Sequence, residues 1–86
     1  MIIIQIINDI FNIIGRGYVI TVDKDDGYKI NQKVKIHIDG YTVTTATIIG
    51  IEMARGATGI LKQRGLLLKG EKLEEVCKGM LINPIQ

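Results

Sequence analysis

The first candidate for a binding site in the sequence is an arginine between two glycines, Gly15-Arg16-Gly17. Glycines beside a cation suggest a phosphate loop, in which backbone N–H groups and a basic side chain surround an anion. A Walker loop needs a lysine and a hydroxyl residue after its second glycine, whereas Tyr18 and Val19 follow here. A dinucleotide loop needs a third glycine, where Ile20 stands. The motif therefore predicts a bend or bulge between paired strands, and we expect no nucleotide and no other cofactor.

Catalytic side chains are scarce in this sequence. The chain has one histidine, one cysteine and no serine, so neither a nucleophile–base pair nor a zinc site can be assembled. His37 is predicted on a solvent face, and Cys77 on the apolar side of a short helical turn, as a small core residue. The aspartates of residues 23–26 lack the spacing of a calcium loop and are typical of a turn. We expect no metal and no enzymatic activity.

Composition narrows the class of protein. The 86 residues predict a single domain spanning 1–86, and the 18 isoleucines favour strands because β-branched side chains pack well on a pleated surface. A lone cysteine excludes an internal disulfide and predicts a reducing, cytoplasmic location. The net charge of +2 is too small to imply nucleic-acid binding by itself. The apolar segment from Met1 to Ile14 is too short and too polar to span a bilayer, so no membrane partner is expected.

If Glu52 supplies the acidic group of a site, the strand that carries it must place the carboxylate on an accessible face. It follows the clearest hairpin signal, in which Asp39-Gly40 supplies the positive φ angles of a tight turn. Alternation predicts that Ile49, Ile51 and Met53 share one face and that Glu52 points away, beside Gly50. The residues predicted to be buried or partly buried are Ile36, Ile38, Ile49, Ile51, Leu66 and Leu68.

Short apolar runs separated by turn signals favour an all-β barrel or sandwich. The one helical fragment is "EKLEEVCKG", in which Leu73, Val76 and Cys77 share an apolar face and Gly79 ends the turn. Because it covers a turn or two only, it is predicted to be a corner piece between strands.

The order of these motifs resembles the second domain of elongation factor Tu and its translation-GTPase relatives. Five features carry the resemblance over nearly the whole chain: "DIFNIIGRGYVITV", "KVKI", "IIGIEMAR", the leucine strand "RGLLLKG", and "EKLEEVCKGMLINP". The resemblance implies a small closed antiparallel β-barrel of that domain type, with about six strands and one short helical turn.

The resemblance also implies a site for the 3′ end of aminoacyl-tRNA at the barrel rim, where apolar walls meet a glutamate beside the terminal adenosine. Arg16 would face RNA or a neighbouring domain. The residues that match the family's RNA-binding positions are Ile13, Gly15, Arg16, Val19, Glu52, Arg55 and Leu67. Small and apolar residues admit a base, and a carboxylate accepts hydrogen bonds from amino or hydroxyl groups.

Two functions remain open at this point. In the first, the chain is a stand-alone translation-factor-like barrel without GTPase activity that binds tRNA 3′ ends or the ribosome weakly. In the second, it is a protein-interaction or self-associating module that kept the barrel and lost RNA binding. The retained Glu52 and Arg55 favour the first, whereas the modest net charge and the lack of the family's GTPase and third domains favour the second. Two departures from the family also count against RNA binding: Val22 replaces a usual glycine, and residues 54–64 lack the usual acidic-glycine pattern.

Overall fold

The isoleucine-rich segments form an all-β fold in the computed structural model, which describes residues 4–23, 27–55 and 62–85. A single 3₁₀ turn, Leu73–Glu75, precedes the last strand. No helix in these ranges is long and apolar enough to cross a membrane. The strands are β1 Gln5–Ile6, β2 Asp9–Ile13, β3 Gly17–Asp23, β4 Lys33–Ile38, β5 Tyr41–Arg55, β6 Lys62–Gly70 and β7 Leu81–Pro84.

The strands form one antiparallel sheet in the order β1-β7-β4-β5-β6-β3-β2. The predicted all-β class is confirmed, but the predicted closed barrel is wrong, because the sheet is a curled half-barrel. Its two outermost strands, β1 and β2, are not paired with each other. They are successive pieces of the N-terminal segment, which leaves one edge of the sheet and reaches the other.

The ladder is interrupted at Ile7 and Asn8, where this segment changes partners. The Ile7 N–H donates to the Met80 carbonyl at 2.8 Å, and the Ile7 carbonyl accepts from the Gly79 N–H at 2.8 Å. The next N–H, that of Asn8, donates to the Thr21 carbonyl on β3 at 2.8 Å. At these two residues the segment changes from pairing beside β7 to pairing with β3, so Ile7 and Asn8 connect the two edges of the sheet.

The core lies inside the curl of the sheet. Ile36, Leu66 and Leu68 are buried and Ile51 is partly buried, as predicted. Ile38 and Ile49 were expected there too, but they are 37% and 41% exposed. The fully enclosed side chains that anchor the core are Ile7, Ile20, Val22, Val34, Ile36, Ile48, Leu66 and Ile82.

Ile49 lies outside because β5 contains a bulge. Ile48 is opposite Leu68 and Gly50 is opposite Leu67, so Ile49 is an extra residue without a partner on β6. One extra residue exchanges the two faces of a strand beyond that point. The exchange leaves Ile51 inward and Glu52 outward, so the predicted exposure of Glu52 is confirmed. Ile38 is exposed for a simpler reason, since it is the last residue of β4 at the rim.

Two predicted turns can be compared with the structure. Asp39 and Gly40 have φ angles of 49° and 82°, as a type I′ hairpin turn requires, so that prediction is confirmed. In the 3₁₀ turn, Leu73 and Val76 are buried as expected. Cys77 is exposed, and its prediction as a core residue is wrong. The turn stops after three residues, before a helical face that includes Cys77 can form.

Candidate functional site

Arg16 is carried on a tight turn between β2 and β3. Ile13 is paired with Gly17, and the Arg16 N–H donates to the Ile13 carbonyl at 3.0 Å. Gly15 and Gly17 have φ angles of 83° and 115°, which favour glycine over any residue with a Cβ atom. The prediction of a bend between paired strands is therefore confirmed, and the arginine stands at its tip.

Four neighbouring strands, β2, β3, β6 and β5, present alternate residues on their outer side, which we call the site face. Their register aligns these residues in cross-strand rows. The first row is Phe11, Val19, Leu67 and Gly50. The second row is Asp9, Thr21, Gly65 and Glu52. Residues directly opposite each other on antiparallel strands have Cβ atoms about 5 Å apart, so members of a row are neighbours.

The residues implied by the resemblance meet on or beside this face. Val19 and Leu67 are directly opposite each other, and Glu52 is one row away. Ile13 and Gly15 are exposed at the adjoining turn. The backbone of Arg55 continues β5 opposite Lys62, and its side chain lies outside the described part.

An ion pair joins the turn to the site face. The Arg16 guanidinium donates to the Glu52 carboxylate at 2.7 Å, reaching from the β2–β3 turn to β5 across β6. The two side chains are 51% and 57% exposed, so water screens their attraction. An exposed pair of this kind exchanges partners readily when a stronger anion approaches the arginine.

Two glycines on the site face, Gly50 and Gly65, leave room for the apolar side chains beside them. A Cβ atom on Gly50 would lie 3.3 Å from the Leu67 Cβ, and one on Gly65 would lie 3.4 Å from Val19 Cγ1. Leu67 and Val19 thus lean over positions without side chains. Val19 is 9% exposed and forms the floor, whereas Phe11 is 51% exposed and forms a wall. This shape suits a flat ring.

Sequence reasoning missed two members of the site face. Phe11 supplies its most accessible large ring, and the signal was its position two residues before Ile13 on the same strand. Thr21 is 5% exposed, and its Oγ1 has no hydrogen-bond partner within the described ranges. Thr21 is placed on the site face by its pairing with Gly65 on β6, and no local pattern in the sequence predicts that pairing.

No known protein-family model matches the chain. Within the ranges that the structure describes, no group of three or more His, Cys, Asp and Glu side chains could hold a metal ion. The side chains on and beside the site face can contact a ligand by stacking, by hydrogen bonding to the carboxylates of Asp9 and Glu52, and through the Arg16 guanidinium.

Proposed function

We propose that the site face binds the 3′ end of an RNA that terminates in adenosine, such as a tRNA, and that the half-barrel is related to the second domain of elongation factor Tu. One observation carries this proposal. The register brings Val19, Leu67 and Glu52 together beside Arg16, in the grouping that the sequence resemblance implies. The proposal is for binding alone, without catalysis, and it assigns the chain to the cytoplasm, where tRNA is found.

The mode of binding follows from the side chains. The terminal base lies against Leu67 and the Phe11 ring, above the floor formed by Val19. Glu52 accepts hydrogen bonds from the ribose hydroxyls or from the exocyclic amino group. Arg16 turns from the carboxylate toward the last phosphate, because guanidinium groups pair well with phosphate. The shallow, wet surface of a lone half-barrel makes weak binding the expected result.

The test is an NMR titration of the labelled protein with an RNA trinucleotide of sequence CCA. We expect amide shifts confined to β2, β3, β5, β6 and the turn at Arg16. Glu52→Gln should weaken binding about three- to tenfold, the effect of one typical hydrogen bond. Glu75→Gln makes the same chemical change at an exposed position outside the site face and should leave binding unaltered. Shifts elsewhere, or none at millimolar RNA, would refute the proposal.

A protein-interaction module is the second candidate, and the β2 edge favours it. This strand has no partner on its outer side within the described sheet, and it contains neither lysine nor proline to discourage pairing. Phe11 is 51% exposed, and Ile14 at the turn is 98% exposed. Sedimentation analysis decides here: a dimer dispersed by Ile14→Asp would favour self-association, and a monomer at all concentrations would count against it.

A further inference from the structure

The outer side of the sheet continues beyond the site face, across β5 and onto β4. There Lys33 is paired with Thr47, and Thr47 is paired with Lys69. In the adjoining row Lys35 is paired with Thr45. We call Lys33, Lys35 and Lys69, with the two threonines between them, the lysine row.

The orientation of the lysine row follows from its neighbours. Val34, Ala46 and Leu68 are buried in the core, and alternation turns the residues beside them outward. Lys33 and Lys69 line a surface hollow of about 300 Å³ whose lining also includes Thr45 and Thr47. Adjacent strands lie about 4.8 Å apart, which places the two lysines on β4 and β6 about 10 Å from each other at the backbone.

The positive charge of the lysine row is unbalanced. None of its three lysines has a carboxylate within ion-pair distance in the described ranges. One carboxylate, that of Glu71, belongs to a residue lining the hollow. Like charges gathered on one surface attract an anionic ligand, and threonine hydroxyls beside them supply further hydrogen-bond donors.

The lysine row is continuous with the site face through a second hollow of about 340 Å³. Arg16 and Lys69 both line it, and its lining also includes the bulged Ile49, the core residue Leu73 and one carboxylate residue, Glu74. Lys69 lines both hollows, so the cations Arg16, Lys69 and Lys33 follow one another across the curved surface.

We infer that the lysine row binds the backbone phosphates of the single-stranded RNA segment that precedes the 3′ end held on the site face. This inference rests on the proposed function. The terminal nucleotide lies beside Arg16, and the nucleotides before it cross Lys69 and Lys33 toward Lys35. Phosphate contacts of this kind fix the path of the strand and carry no base specificity. Two exposed isoleucines lie beside the row, Ile49 on β5 and Ile85 next to Lys33, but β4 separates them, so they do not form the clustered apolar anchors of a protein interface.

The test compares the salt dependence of two RNAs, the trinucleotide CCA and an unstructured octanucleotide ending in CCA, by fluorescence anisotropy. Each phosphate contact to a single strand contributes about −0.7 to the slope of log K against log salt concentration. The octanucleotide slope should be steeper than the trinucleotide slope by about 2, one increment for each lysine. Lys33→Gln combined with Lys69→Gln should flatten it by about 1.4.

Two further variants make this test specific. Lys78→Gln removes an exposed lysine beyond the opposite end of β7 and should leave the slope unchanged. Glu71→Gln should strengthen octanucleotide binding, because it removes the carboxylate beside the row. That variant still tests the inference if the double lysine variant fails to fold.

Failure of the inference and failure of the proposed function give different results. If the trinucleotide binds on the site face but the octanucleotide has the same slope, the lysine row is overturned and the end site stands. If the octanucleotide alone binds, with a lysine-dependent slope, the row stands and the end site is overturned. Binding of an acidic peptide as tightly as RNA would overturn the assignment to RNA.

Discussion

Arg16 and Glu52 form an ion pair that ties the β2–β3 turn to β5 on the site face, and its contribution to stability can be predicted. Because both groups are about half exposed, we expect the pair to contribute between about 0.2 and 1 kcal/mol to the free energy of unfolding. A double-mutant cycle with Arg16→Ala and Glu52→Ala, followed by urea denaturation, measures it. A coupling energy above about 2 kcal/mol would mean that the pair is structural and not free to exchange its partner for RNA.

Gly70 makes a second prediction at the residue scale, because the chain of β5 passes close to it. A Cβ atom there would lie 3.0 Å from the Thr45 carbonyl oxygen and 3.2 Å from Ala46 Cα, both of them backbone atoms. We expect Gly70→Ala to destabilise the fold by about 1–3 kcal/mol, as overpacking does. Gly65→Ala is the control on the same strand. Its Cβ contacts start at 3.4 Å, so the change in unfolding free energy should stay near zero; equal losses would contradict the packing argument.

The site residues were predictable in part. Val19, Glu52 and Leu67 were grouped by resemblance alone, since they are far apart in sequence and local patterns do not pair β3 with β6 or β6 with β5. Thr21 and the lysine row emerge only from the strand register. Register depends on core packing over the whole sheet, so it cannot be predicted from a local pattern. Composition and net charge therefore do not show that lysines from different strands lie close together.

The β4–β5 hairpin is the element that sequence alone predicted best, and its turn can be tested. Asp39 adopts φ 49°, a conformation open to Asp and Asn and strained for β-branched residues. We expect Asp39→Asn to change the unfolding free energy by less than about 0.5 kcal/mol and Asp39→Val to lower it by about 1–2 kcal/mol. Thermal and urea denaturation measure both. Equal stability of the two variants would show that the turn does not set the register.

The same hairpin shows where element-level prediction ends. Strict alternation along β5 placed Ile49 in the core, and the bulge turned it outward. The adjacent pair Ile48-Ile49 shifts the apolar spacing of β5 by one residue, a sign of the bulge that strict alternation overlooks. Gly50, next to the extra residue, is a second local sign. The prediction for Cys77 failed for a similar reason, because helical spacing was applied beyond Glu75, where the 3₁₀ turn ends.

At the scale of the whole molecule, this half-barrel departs from a closed barrel at two residues, where the strand pairing of the N-terminal segment is interrupted. The resemblance implied a closed barrel, but the N-terminal segment breaks its pairing at Ile7 and Asn8. The segment contains no glycine or proline at the break, and the polar pair Asn8-Asp9 is the local turn signal there.

Ile7 therefore holds the two edges of the half-barrel together, and it provides the last prediction. Its side chain is fully buried, and its backbone makes two hydrogen bonds to the segment before β7. We expect Ile7→Ala to lower the unfolding free energy by about 2–5 kcal/mol, a large share of the roughly 4–13 kcal/mol typical of a domain this size. Ile6→Ala, at a neighbouring position that is 58% exposed, should cost less than about 0.5 kcal/mol.

Urea denaturation of the two variants gives these energies, and amide hydrogen exchange shows where the fold opens. If Ile7 bridges the edges, its loss should speed exchange first at the Ile7, Asn8 and Gly79 amides, whose hydrogen bonds join the segment to its neighbours. The central strands β5 and β6 should keep their protection, because they pair on both sides. Uniform loss of protection, or equal costs for both variants, would mean that the curl of the sheet holds without this bridge.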